Sequence, residues 1–214
     1  CIGSGHELLD GRRFSRVLID EATQATEPAT LVPLVRGVRQ VVMVGDHRQL
    51  PPTVVSRRAE NGGLTRSLFE RLVDMGVSTI LLDTQYRMHP SISEFPNSHF
   101  YDGELMDGIE ASERPTPSGL LWPDWDIPVC FIPIQGDEIS APDGTSKENP
   151  TEASWIVKIL SDFVEGGELD ISDLGIITPY AGQVRAIRDL LPESMHSVEV
   201  RTVDGYQGRE KNVI

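Results

Sequence analysis

Short continuous apolar runs alternating with helical segments constrain this chain more than any other feature. Arg16-Val17-Leu18-Ile19 is one such run, and it ends in Asp20-Glu21. Gln40 to Val44 is a second, ending in Gly45-Asp46. Thr79 to Leu82, Val129 to Ile134, Leu174 to Thr178 and Val198 to Val203 are further strand candidates. Between them, Pro28 to Val35, Ser67 to Met75, Thr151 to Val164 and Gly182 to Leu191 read as helices. On the third of these, Ala153, Ile156, Val157, Leu160 and Phe163 share one face. Apolar strands without alternation, separated by helices, belong to parallel sheets covered on both faces. The expected fold class is therefore α/β.

The length of 214 residues suits one large domain or two small ones. A boundary is expected near Leu82–Gln85. The stretch from Gln135 to Pro150, dense in Pro, Gly, Asp and Ser, is expected to be a surface loop. With 39% hydrophobic and 24% charged residues the chain reads as globular. No apolar run approaches the ~18–20 residues of a membrane span. Two cysteines, Cys1 and Cys130, make no disulfide framework, which fits a reducing compartment. The net charge of -14 opposes tight, independent nucleic-acid binding, yet leaves room for a local basic channel.

In open parallel sheets, ligands bind beyond the carboxyl ends of the strands. Asp20-Glu21 and Gly45-Asp46 each occupy such an end. An Asp there can hold Mg²⁺, and a neighbouring Glu can orient or deprotonate water for phosphoryl transfer. The same dipeptide serves equally as a helix cap or a solvated turn. Asp20, Asp46 and His47 also suggest a metal-dependent phosphoesterase. The other histidines, His6, His89, His99 and His196, do not stand at metal-ligand spacings.

Gln85-Tyr86-Arg87-Met88-His89-Pro90 follows the third run. Its Arg can reach a phosphate with a bidentate fork, and Pro90 suits a first helical turn. Thr178-Pro179-Tyr180 ends a strand, with Gln183 shortly after. A hydroxyl, helix-start amides and a stacking ring there suit a nucleic-acid backbone, or equally a packed turn. Thr202 to Glu210 crowds two glycines with Asp, Gln, Arg and Glu into one strand-to-helix turn.

In order, Leu18 to Ala25, Val44 to Pro52, Gln85 to Pro90, Ile176 to Tyr180 and Thr202 to Glu210 resemble the successive motifs of superfamily 1 helicases. The match is to the up-frameshift (nonsense-mediated decay) and senataxin-like branch. Ser67 to Leu72, Phe95-Pro96 and Phe100-Tyr101 extend it between motifs. The resemblance implies two partial RecA-like lobes with mostly parallel sheets: residues 1–84 as the later part of the first, 85–214 as the earlier part of the second. It implies ATP and Mg²⁺ as cofactors, with Asp20 on the metal, Glu21 activating water and Gln49 sensing the γ-phosphate. Arg87 would reach the γ-phosphate, while Tyr86 and Glu210 would lie against the nucleotide. Thr178, Pro179, Tyr180, Thr202 and Val203 would face the nucleic acid.

The resemblance further implies ATP-driven 5′-to-3′ translocation on single-stranded RNA or DNA. Decay or termination factors would be partners, the membrane would not, and the location would be cytoplasmic or nuclear. No Gly-x-x-x-x-Gly-Lys-[Ser/Thr] phosphate loop occurs in the sequence. The family pattern places that loop before Cys1 and its last motif after Ile214, so this segment alone should hydrolyse ATP negligibly. The alternative is a motor-derived binding regulator without ATPase activity.

Overall fold

In the computed structural model, residues 5–214 are described, apart from the side chain of Leu8. Cys1 lies outside the described residues. The chain forms two compact units, Cys1–Leu82 and Asp83–Ile214, and each is described by itself.

In the first unit, β1 (Arg16–Ile19) pairs in parallel with β2 (Gln40–Met43), from Arg16 opposite Gln40 to Ile19 opposite Met43. Parallel pairing needs a crossover, and α1 (Glu27–Leu34) supplies it. Pro28 sits in its first turn, where a missing N–H costs nothing. Ser56 caps α2 (Arg57–Asn61), a short helix that the apolar pattern did not announce. Ser67 caps α3 (Leu68–Asp74), its Oγ accepting from the Glu70 amide at 3.1 Å. Arg71 ties α3 back to α1 by a bidentate pair with Glu27 at 2.8 and 2.7 Å. Hydrogen bonding to Arg71 holds the Glu27 carboxyl below its ordinary range.

In the second unit, β3 (Thr84–Gln85) and β4 (Met106–Asp107) form a short parallel pair. Between them runs α4 (Pro90–Phe100), capped by His89. The expected loop from Gln135 to Pro150 carries a small antiparallel hairpin, β5 (Ile139–Ser140) and β6 (Lys147–Glu148). Next come α5 (Pro150–Gly166), β7 (Gly175–Thr178), α6 (Ala181–Leu190) and β8 (Glu199–Thr202), with β7 parallel to β8. A last short helix, α7 (Val203–Tyr206), begins where the apolar run was expected to continue as strand.

The core of the second unit is built from the expected face of α5. Ala153, Leu160 and Phe163 are buried, with Ile156 and Val157 partly so. They meet Leu174, Ile176, Val184, Ile187 and Val200. Parallel pairing across α/β units therefore holds for β1–β2, β3–β4 and β7–β8. Two expected strands are absent. Residues 79–82 and 129–134 are irregular, with Ile80, Leu82 and Phe131 largely exposed. An apolar, β-branched segment becomes a strand only when a neighbour accepts its backbone groups, and neither segment has one among the described residues.

Candidate functional site: the strand exits

The exits of β1 and β2 are clamped together by the backbone. The Val44 amide donates to the Ile19 carbonyl and the Ala22 amide to the Val44 carbonyl, both at 2.8 Å. This crossing continues the ladder past the strand ends and brings Asp20-Glu21 beside Gly45-Asp46. Glu21 takes a left-handed conformation, φ 49° and ψ 42°, which turns the chain into a 3-10 turn over Ala22–Gln24. Such a backbone is costly for a residue with a Cβ and is held here by its surroundings. Ala22 and Thr23 are buried beneath it. The approach at Gly45 is close: a Cβ there would lie 3.1 Å from the Ala22 and Thr23 amide nitrogens, so the turn would have to give by a few tenths of an ångström.

The exposed carboxylates of this exit are only partly engaged. Asp20 Oδ1 accepts from the Glu21 amide at 3.0 Å. Glu21 Oε2 accepts from Gln24 Nε2 at 2.9 Å. Asp46 organises its own loop: Oδ1 accepts from the Arg48 amide at 2.9 Å and Oδ2 from Gln49 Nε2 at 3.0 Å. Asp20, Glu21 and Gln49 are thus gathered at one pair of strand ends. The phosphoesterase alternative finds no support in this geometry. Asp46 is spent on its loop, the His47 ring lies 6.2 Å from that of Phe69, and no cluster of three or more candidate ligands occurs among the described residues.

In the second unit, the loop after β3 is folded around a side chain that the sequence reading had not assigned a role. Gln85 Oε1 accepts from the Arg87 and Met88 amides at 2.9 and 2.7 Å. Its Nε2 donates to the Met88 carbonyl at 2.8 Å and to Asp107 Oδ1 at 2.6 Å. Asp107 also accepts from Ser93 Oγ at 2.6 Å. Those bonds, Ser93's first and Gln85's second, hold its carboxyl below the usual range. Arg114 braces the same loop through the Arg87 and Tyr86 carbonyls at 3.2 and 3.4 Å. The buried His89 accepts from the Ser91 amide at 3.1 Å and starts α4.

This clasp leaves Tyr86 and Arg87 pointing outward, each 66% exposed. The Tyr86 ring covers Gly108, where a Cβ would stand 2.3 Å from Cε1, so any side chain there would displace the ring. Arg87 Nε donates to Glu210 Oε2 at 2.7 Å across 123 residues of sequence. Tyr86, Arg87 and Glu210 are therefore brought together, with Asp107 and Arg114 as supports that sequence reasoning missed. An acid-glycine pair, Asp107-Gly108, after a short strand was the available signal.

Thr178 and Thr202 are register partners at the carboxyl ends of β7 and β8. Thr178 is buried, whereas Tyr180 and Val203 are 44% and 41% exposed. Thr202 Oγ1 caps α7 through the Gly205 amide at 3.3 Å. Pro179 bridges β7 to α6 and is exposed. The start of α6 differs from expectation. Its Gly182 amide already donates to Ser146 Oγ of the hairpin turn at 2.9 Å, so that amide is not open to a phosphate. Gln183 is buried and clasps Asn149 at 2.7 and 3.2 Å, joining α6 to the start of α5. What remains outward at these exits is Tyr180, Pro179, Val203 and the partly exposed Thr202.

Among the described residues no helix is long and apolar enough to cross a membrane. Family models described as an AAA domain match residues 1–57 and 64–214. Over the whole chain, the regulator of nonsense transcripts 1 homolog of Arabidopsis thaliana is 44% identical, with 18% of its length covered. The ATP-dependent helicase NAM7 of Saccharomyces cerevisiae is 42% identical and the ATP-dependent helicase upf1 of Schizosaccharomyces pombe 43%, with 23% and 24% of their lengths covered. The chain thus spans about a fifth of the length of the curated relatives it matches. Whole-chain identity, the two domain matches and the ordered strand-exit motifs converge: the chain belongs to the AAA-domain family, in the up-frameshift branch of the superfamily 1 helicases.

Proposed function

We propose that this chain contributes the hydrolysis and strand-gripping parts of an ATP-driven motor acting on single-stranded nucleic acid. The observation that carries the reading is the clamped pair of exits at β1 and β2, which sets Asp20, Glu21, Asp46 and Gln49 side by side. Asp20 fits Mg²⁺: it is an exposed hard oxygen donor with one oxygen engaged by a single amide. When bound, Mg²⁺ neutralises the charge on the phosphates of ATP.

Glu21 has the role of general base. Its Oε2 is anchored by Gln24, which leaves the other oxygen to orient water and take its proton. Gln49, held to Asp46, reports the presence of the terminal phosphate through the loop that both residues share. Arg87 offers a guanidinium whose Nε edge is fixed by Glu210, leaving its two terminal nitrogens to face phosphate oxygens. Tyr86 and Glu210 would contact the base and sugar of the nucleotide. Thr178, Pro179, Tyr180, Thr202 and Val203 would line the nucleic-acid strand, with Tyr180 as the stacking ring. Two relatives are named ATP-dependent helicases, which does not favour a regulator without ATPase activity. Single-stranded RNA, decay factors and a cytoplasmic location belong to the same proposal.

The test is steady-state ATP hydrolysis by the full-length protein, with and without oligo(U). Oligo(U) should stimulate turnover. Glu21→Gln should lower turnover about 10²–10⁴-fold while ATP still binds, since a general base contributes about that much. Unstimulated turnover in the folded protein, or a Glu21→Gln variant of normal rate, would sink the reading.

A further inference from the structure

The amino-terminal edge of the β1–β2 pair carries a second, unassigned cluster. Segments 10–16 and 36–39 hold five arginines, Arg12, Arg13, Arg16, Arg36 and Arg39, and one carboxylate, Asp10. Backbone clips bring the two segments together. The Phe14 amide donates to the Arg36 carbonyl at 3.2 Å, and the Arg39 amide to the Ser15 carbonyl at 2.9 Å. The Arg13 stem lies along Gly37, 3.6 Å from where a Cβ would stand.

Arg36 is the structural member. It bonds the Leu9 carbonyl at 2.5 Å and stands 3.6 Å from Asp10. Arg12, Arg13, Arg16 and Arg39 are exposed, and their side chains have no partner among the described residues. Elsewhere in this unit Arg66 and Arg71 are paired with carboxylates, while Arg57 and Arg58 on α2 are exposed; what distinguishes this edge is that five arginines gather on two clipped segments.

Arg12, Arg13 and Arg36 line a pocket of about 320 Å³. Five like charges gathered beside a single carboxylate repel, and an anion that enters relieves the repulsion. Guanidinium forks match phosphate oxygens. Phe14 lies between Arg13 and Arg16 in sequence and is 39% exposed. An aromatic face interleaved with phosphate-binding side chains is the pattern of single-strand binding: bases stack while the backbone is neutralised. A carboxylate-rich peptide would use the arginines but gain nothing specific from the ring. With four residues, β1 separates this edge from the Asp20-Glu21 exit by about 13 Å at roughly 3.3 Å per residue. The two sites therefore do not coincide.

We infer that Arg12, Arg13, Arg16 and Arg39, with Phe14, form an auxiliary contact for single-stranded nucleic acid at the amino-terminal edge of the first unit. The inference rests on the motor reading above and extends it to a second face.

The experiment uses the full-length protein, fluorescein-labelled 30-nucleotide oligo(U), and a triple variant Arg12→Gln, Arg13→Gln, Arg39→Gln that spares Arg36. Thermal melting of the variant should match the parent. Its oligo(U) affinity should fall about tenfold near physiological salt. The slope of log affinity against log salt should shrink by about 2, since each lost phosphate contact on a single strand removes about 0.7. A second variant, Phe14→Leu, keeps the apolar bulk; it should weaken binding without changing the salt slope. A triple variant that melts normally with unchanged affinity and slope overturns the proposal. So does a triple variant that loses polyglutamate binding while keeping that of oligo(U), which assigns the edge to an acidic protein segment. If the parent protein binds no oligo(U) at all, the motor reading itself fails, and this proposal with it.

Discussion

The pairs β1–β2 and β7–β8 have the same length, the same parallel sense and four register partners each, yet they are held in opposite ways. In β7–β8 the inward residues Ile176 and Val200 are 7% and 0% exposed beneath α5 and α6. In β1–β2, Leu18 and Val42 are 69% and 57% exposed, and only Ile19 among the strand residues is buried. The first pair is held chiefly by its ladder and by the backbone crossing at Ile19, Val44 and Ala22. Charge divides the same way. The first unit has ten basic residues against nine acidic ones, the second nine against 24, so the first carries +1 and the second -15 of the net -14. At the β1–β2 exits it is that backbone crossing that fixes the two strand ends to one another.

The largest test of this contrast is in the cores. In the 214-residue chain, Ile187→Ala should cost about 2–5 kcal/mol of stability, because it empties a fully buried position on α6. Val42→Ala should change stability by about 0.5 kcal/mol or less, as exposed substitutions do. Chemical denaturation measures both, and equal losses would break the comparison.

Next in size are two glycines beside the strands. A Cβ on Gly175 would fall 1.9 Å from the Tyr206 hydroxyl, so Gly175→Ala should cost about 1–3 kcal/mol. Adding Tyr206→Phe, which removes that oxygen, should recover only part of it, since Tyr206 Cζ and Lys211 Cγ would each still stand 2.9 Å from the added Cβ. At Gly45 the clash is milder, and the atoms that must shift belong to the turn after Glu21. Gly45→Ala should therefore lower ATP turnover of the full-length protein more than it lowers the melting temperature. A Gly45→Ala variant that melts early at full turnover would reverse the contrast.

The smallest effect concerns the hairpin turn. Backbone donation from Thr145, and then hydrogen bonding to Arg185, lower the Asp143 pKa to about 2. A depressed carboxylate pKa contributes stability that is complete above the unfolded pKa of about 3.9 and is lost as pH falls through the folded value. The window is thus about pH 4 down to about 2. Because Asp143 is exposed, the effect on unfolding should be slight, and the midpoint is best read by carboxyl NMR titration. Arg185→Ala should move that midpoint upward, and an unmoved midpoint would remove Arg185 as a cause.

Much of this was legible from residues alone. The run Arg16–Ile19 is β1 itself, and the apolar face of α5 was readable because helical period and burial agree. Asp20-Glu21 and Gly45-Asp46 could be placed at neighbouring exits because parallel strands carry ligands at their carboxyl ends. Thr79 to Leu82 and Val129 to Ile134 failed because an apolar run records a wish for burial, not the presence of a pairing partner. The Gln85 clasp was hidden for a different reason. It joins Gln85 to Asp107, 22 positions away, and Gln is silent as a local signal.

By itself the sequence determined the α/β alternation, the acids at the strand exits and the family motifs, since these depend on local period and residue type. Tertiary structure decided three other matters. It set the left-handed turn at Glu21, gave the Gly182 amide to Ser146, and joined Arg87 to Glu210. Each depends on an atom delivered by a distant segment, and no local propensity encodes which segment arrives. The acids at the β1 and β2 exits were thus written in the chain, but their alignment was made by two backbone hydrogen bonds between strands.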